Sequence, residues 1–300
     1  MLTNFFSKSK PITVLLIIAL FLCYYFMAFL SGKIASINLW VLPLFLLMFS
    51  IAGFINSKNA LTFDNSYAFL FLVFFIGMFP ETLKINSTFY SNLTLLLFLR
   101  KVYSIQSSKN LFKKLFDGGL WLGITFLIEP FSIQFGILLY ISIYLHQRFT
   151  YQTILIPLIG FFAPTFLYFT YCLWYDKLQD FELLFDWFTH YDLSLYNQFS
   201  YLLPIYFVCV FIMLSVFFKT PKALAIKNSF RKNWILLLLN FAIAFLLLIL
   251  VKDRNGSEIL YLFFPSALII ANGLELFERK WFIDVVPFSF IVCAFIVNFV

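Results

Sequence analysis

Charge is what this sequence has least of. Only 12% of its 300 residues are Asp, Glu, Lys or Arg, about half the share usual in a soluble domain. Ten glycines and ten prolines are too few for a collagen-like or low-complexity chain. Four cysteines do not make a disulfide scaffold at this length. Cys23, Cys172, Cys209 and Cys293 each lie inside an apolar run, with no CxxC and no Cys/His cluster, which argues against a metal site and a redox pair. P-loop, GxGxxG, HExxH and GxSxG patterns are all missing, so no cofactor and no metal is expected.

What the chain has instead is apolar surface. The hydrophobic share is 63%, with 45 phenylalanines, more than a soluble protein of this size can hide. The expected fold class is all-α: a polytopic integral membrane protein, one transmembrane helical domain over 1–300. Crossing about 30 Å of hydrocarbon takes about 20 apolar residues in a helix. Runs at 11–31, 38–55, 62–80, 88–100, 116–129, 131–146, 152–174, 200–218, 233–251, 258–275 and 284–300 suggest about eleven transmembrane segments. No internal repeat of the kind found in inverted-repeat transporters is evident.

The formal charge of +7 is not a nucleic-acid signal, because the basic residues sit in short clusters between the runs and read as topology. Lys8 and Lys10 precede the first run, which is long for a cleaved signal and is followed by Ser31-Gly32-Lys33 without an Ala-x-Ala site. It reads as an uncleaved first helix with a cytoplasmic N-terminus. Glu129-Pro130 interrupts 116–146, since proline removes a donor and biases the preceding residue away from helix. Counted as a hairpin of two short helices, that stretch gives 16 basic residues on the cytoplasmic side and 5 outside. A single crossing there gives 11 and 10, so the hairpin is preferred. The C-terminus is then external. The 175–199 loop is external too, with a surface helix expected over 180–190 that turns Phe181, Leu184, Phe185 and Phe188 toward the bilayer. The expected location is a bacterial inner membrane.

Few residues in this layout offer chemistry. Glu129 lies within an apolar stretch, where a carboxylate is costly unless paired or wet. It reads as a catalytic or ion-linked acid, or as a hairpin tip. Asp117-Gly118-Gly119 reads as a helix cap followed by a close-packing surface. Glu182, Asp186 and His190, at i, i+4 and i+8, share one face of the expected surface helix, suited to a metal, to proton handling or to a substrate, or simply the wet side of that helix. Lys252-Asp253-Arg254 with Glu258 forms a charged external turn, which reads either as a lipid-phosphate site, since a guanidinium matches phosphate oxygens, or as a solvated hairpin turn.

Two stretches carry a resemblance. In Leu111–Tyr144, Lys113, Lys114 and Asp117-Gly118-Gly119-Leu120-Trp121-Leu122-Gly123 lead into Glu129-Pro130. In Arg254–Asn272, Arg254 precedes Leu260-Tyr261-Leu262-Phe263-Phe264-Pro265. Both resemble the GT-C class of polytopic glycosyltransferases. The opening Phe5-Phe6-Ser7-Lys8-Ser9-Lys10-Pro11 is similar to an uncharacterised bacterial multi-pass family of unknown function, a resemblance that implies no activity. The GT-C resemblance implies a polyprenyl-phosphate-linked sugar or lipid substrate in envelope glycan assembly, with Glu81 or Glu129 as catalytic base and Arg254 as phosphate clamp. GT-C enzymes usually carry their acid in the first external loop. Here that loop is Ser31–Ile37, without a carboxylate, and Glu81 in the second external loop is the nearest substitute. A non-enzymatic accessory or scaffold subunit of an envelope complex is therefore a standing alternative, and a small transporter or flippase a third. Expected partners are membrane lipids and other envelope membrane proteins, with no nucleic acid.

Overall fold

The computed structural model describes residues 6, 10–34, 38–187, 193–225, 228–251, 254–277 and 280–299. Among them every regular element is helical: twelve α-helices and five short 3-10 turns. In order these are α1 (Pro11–Leu30), α2 (Val41–Asn59), α3 (Tyr67–Met78), α4 (Ser87–Ser104), α5 (Leu111–Ile128), α6 (Phe135–Leu145), α7 (Tyr151–Trp174), the short α8 (Leu178–Glu182), α9 (Phe199–Ala225), α10 (Asn228–Leu250), α11 (Leu260–Leu274) and α12 (Lys280–Phe299).

A helix occupies each of the eleven apolar runs, and among the described residues six are long and apolar enough to cross a membrane: α1, α2, α7, α9, α10, and α11 with the turn before it. This corrects the count of eleven, for identifiable reasons. The 12 residues of α3 rise only about 18 Å, short of a hydrocarbon core about 30 Å thick. α4 carries Arg100 and Lys101 near its C-terminal end, and α5 carries Lys113, Lys114 and Asp117 in its first two turns.

The chain groups into two compact units. The first comprises 1–85, 192–238 and 254–300; the second comprises 86–191 and 239–253. At the heart of the first unit are α3 and α11, apolar on all sides and buried along nearly their whole length. Phenylalanine fills this interior. The Phe290 ring stands 4.9–5.8 Å from those of Phe71, Phe74, Phe207 and Phe211, in geometries that aromatic pairs favour. Buried asparagines tie helices to loops and to each other: Asn298 Nδ2 donates to Gly77 O at 2.8 Å, and Asn272 Nδ2 to Leu61 O at 2.9 Å.

The second unit is organised by α5 packed on α7. A Cβ at Gly119 would sit 2.0 Å from Pro157 O, and one at Gly160 would sit 2.3 Å from Phe116 O. The two backbones therefore meet where neither helix has a side chain, and the close-packing role read for Gly119 holds. The capping role read for Asp117 does not. α5 begins six residues earlier, after Asn110, and Asp117 lies within it, ion-paired with Lys101 at 2.6 Å. The break at Glu129-Pro130 is where the sequence puts it: α5 stops at Ile128, Glu129 is extended, and a 3-10 turn over Pro130–Gln134 leads into α6.

Exposed apolar side chains gather on α7, where Leu155, Ile159, Phe162, Phe166 and Leu167 are exposed together, and on α1 and α9. An apolar surface of that extent suits hydrocarbon rather than water.

Candidate functional site

Polar side chains collect at two ends of the first unit. At one end, Gly256 bends the chain with a φ of +85°, and the turn Ser257–Ile259 starts α11. Glycine is required there twice over. Its dihedral is left-handed, and a Cβ would lie 2.3 Å from the Tyr201 hydroxyl, which rests on this turn. Asn255 Oδ1 accepts from Ser257 N at 3.0 Å and so braces the bend. Glu258 is fully buried. Its carboxylate accepts from the Tyr196 hydroxyl and, at 3.3 Å, from Asn255 N. Burial, and then the facing carboxylate, push the Tyr196 phenol far above its ordinary range, with Arg254 pulling the other way. Tyr196 therefore stays a neutral O–H donor, and Arg254 lies within electrostatic reach of it.

Glu81 joins this end from a different part of the chain. After α3, Phe79 turns out of helix and Pro80–Leu83 forms a 3-10 turn that packs against Ser257–Ile259. Glu81 is ion-paired with Lys84. It also lines a cleft of about 240 Å³ with Lys33, Gln198, Ser200, Tyr201 and Asn255. Tyr201 is within electrostatic reach of both Glu81 and Glu258. So two residues singled out in the sequence, Glu81 and Arg254, fall in one neighbourhood, with Tyr201 and the 255–258 turn linking them.

The other candidates with described residues belong to the second unit. Glu129 belongs to the second unit, where it closes α5; its N–H donates to Thr125 O and its carbonyl accepts from Ser132 N. The shared face expected for Glu182, Asp186 and His190 is not formed as read. The helix ends at Phe185 in a 3-10 turn, and Asp186 is extended, with φ −80° and ψ 96°. Glu182 and Asp186 are both exposed, and His190 lies outside the described residues.

At the opposite ends of α3 and α11 is a group that the sequence reading missed. Lys219 of α9 is ion-paired with Glu275 at 3.2 Å, with the side chains only 1% and 4% exposed. Glu275 also accepts from Phe63 N at 2.8 Å and Asn65 Nδ2 at 2.6 Å, and Lys219 lies over the rings of Phe63 and Phe230. The only sequence signal is a charge at the edge of an apolar run, which looks the same as an ordinary boundary residue.

No curated protein and no solved structure matches the chain, and no link to the GT-C class emerges from these comparisons. The match to a known family spans residues 1–300, and the chain belongs to the family of unknown function DUF6427.

Proposed function

We propose that this is a multi-pass membrane protein that holds a polyprenyl-phosphate-linked sugar, or a similar lipid phosphate, at the cleft containing Glu81. The observation that carries the reading is the convergence of Lys33, Glu81, Asn255 and Tyr201 on one cleft beside Arg254. Cations recognise the phosphate oxygens, a guanidinium most specifically. The neighbouring amides and hydroxyls suit a sugar.

The arrangement of the first unit supports an external position for this cleft. Lys33, Glu81, Tyr201 and Asn255 share one end. Ser66, bonded to Thr13, and the Phe63–Lys219–Glu275 network share the other. Helices α1, α3, α9 and α11 therefore each run from one cluster to the other, as the charge-derived layout with a cytoplasmic N-terminus and an external C-terminus requires. The short α3 fits because it is walled by protein rather than lipid.

In the enzymatic form of this reading, Glu81 accepts the proton of an attacking hydroxyl and Arg254 holds the phosphate. One observation favours the accessory-subunit form instead: Glu81 is already engaged by Lys84.

Binding of polyprenyl phosphate to the full-length protein in phosphatidylcholine nanodiscs tests the reading. Loss of a charge-assisted contact predicts binding weaker by about tenfold or more in Arg254→Ala. Equal binding by the variant and the parent overturns the site. Glu81→Gln separates the two forms: sugar transfer lost with binding kept marks the enzyme, and binding without any transfer by the parent marks the accessory subunit.

A further inference from the structure

The first unit contains a second, larger cavity, of about 520 Å³, near the Lys219–Glu275 end and away from the Glu81 cleft. Its size falls in the range of ligand sites, which run to about 300–1,000 Å³ and combine apolar walls with a few polar groups. The walls come from α1, α2, α3 and α11, with Ile18, Leu46, Phe49, Leu72, Phe264 and Leu268 among them. The polar groups gather at one end: Asn56, Thr62, Asp64, Asn65 and Ser66.

Two features mark this cavity as built. Its polar rim is fixed from below, because Glu275 binds both the Phe63 amide and the Asn65 side chain, and Asn56 bonds Thr62 through its side-chain amide at 2.9 Å. Its wall also includes Gly53, in the middle of α2. A helix-interior glycine is unfavourable unless packing or dihedral demands it. Neither does here: Gly53 is helical, and a Cβ on it would meet nothing within 4 Å. This differs from Gly119 and Gly160, where backbone fills the space. Gly53 is exposed at the edge of the cavity, so a larger side chain there has room to fill its opening.

We propose that this cavity binds the aliphatic chain of an amphiphile whose head hydrogen-bonds at the Asn56–Ser66 rim and carries no negative charge. Charge complementarity sets the head. The lining includes the acidic Asp64 and, among the described residues, no lysine or arginine. The nearby Lys219 is committed to Glu275. A hydroxyl or ammonium head fits this rim, and a carboxylate or phosphate head does not. The site is independent of the lipid-phosphate reading of the Glu81 cleft, and neither needs the other.

Photolabelling of the full-length protein in phosphatidylcholine nanodiscs tests it, using diazirine-bearing hexadecanol and diazirine-bearing palmitate as probes. Labelling of α7, at Phe162 and Phe166 on its exposed face, serves as the internal reference for bulk lipid contact. The hexadecanol probe should label 46–53 and 264–268 above that reference, and palmitate should label them less. Gly53→Phe, which fills the cavity, should abolish the excess, whereas Gly53→Ala should keep it. Gly53→Leu gives the same readout where the larger ring impairs folding. Three results overturn the proposal: no excess at these segments, an excess unchanged in the filled variants, or palmitate labelling equal to that of the alcohol.

Discussion

The Lys219 ammonium lies 3.2 Å from the Glu275 carboxylate, and almost no water reaches either side chain. Each ion is costly to bury alone, so removing one partner leaves an uncompensated charge. Lys219→Met should therefore destabilise the protein by about 3–5 kcal/mol, with Lys219→Met/Glu275→Gln recovering part of that loss. Unfolding midpoints in detergent for the two single variants and the double variant check this. A double variant as unstable as the sum of the singles would contradict a direct pairing.

The glycines divide into two kinds, and substitution should separate them. At Gly119 a methyl group would meet the Pro157 carbonyl 2.0 Å away, so Gly119→Ala must push α5 from α7. Overpacking of this kind costs about 1–3 kcal/mol or more. At Gly53 the same methyl meets open space, and Gly53→Ala should stabilise α2 by about 0.5–1 kcal/mol. Thermal unfolding of the two variants side by side should move in opposite directions.

The sequence shows some of this architecture and hides the rest, depending on range. Apolar runs and the Glu129-Pro130 break are local, and α-helices occupy all eleven runs. How many of them cross the bilayer is not local. α3 is as apolar as any span, yet it has 12 helical residues buried on every side, and hydropathy alone does not separate a lipid-facing helix from a protein-walled one. The same limit hides the site. Glu258 and Tyr196 are far apart in the chain and meet only in the fold, beside the Gly256 turn on which Tyr201 rests. Asp117 looks like a cap because small residues follow it, yet its position is set by Lys101 on the neighbouring helix.

The layout itself is open to chemical test. In a background freed of Cys23, Cys172, Cys209 and Cys293, single cysteines at Ser194 and Ser229 report the two sides of the membrane. With the Glu81–Tyr201 end of the first unit external, as proposed, an impermeant maleimide applied to intact cells should label position 194 and not position 229. The reverse pattern would invert the topology and move the Glu81 cleft to the cytoplasmic side.

The most direct test of the lipid-phosphate reading is an experimental density map of the full-length protein in nanodiscs loaded with polyprenyl phosphate. Phosphate density is expected in the cleft lined by Lys33, Glu81 and Asn255, within about 4 Å of the Arg254 guanidinium. A lipid phosphate bound elsewhere on the protein, with that cleft holding only solvent, would contradict it.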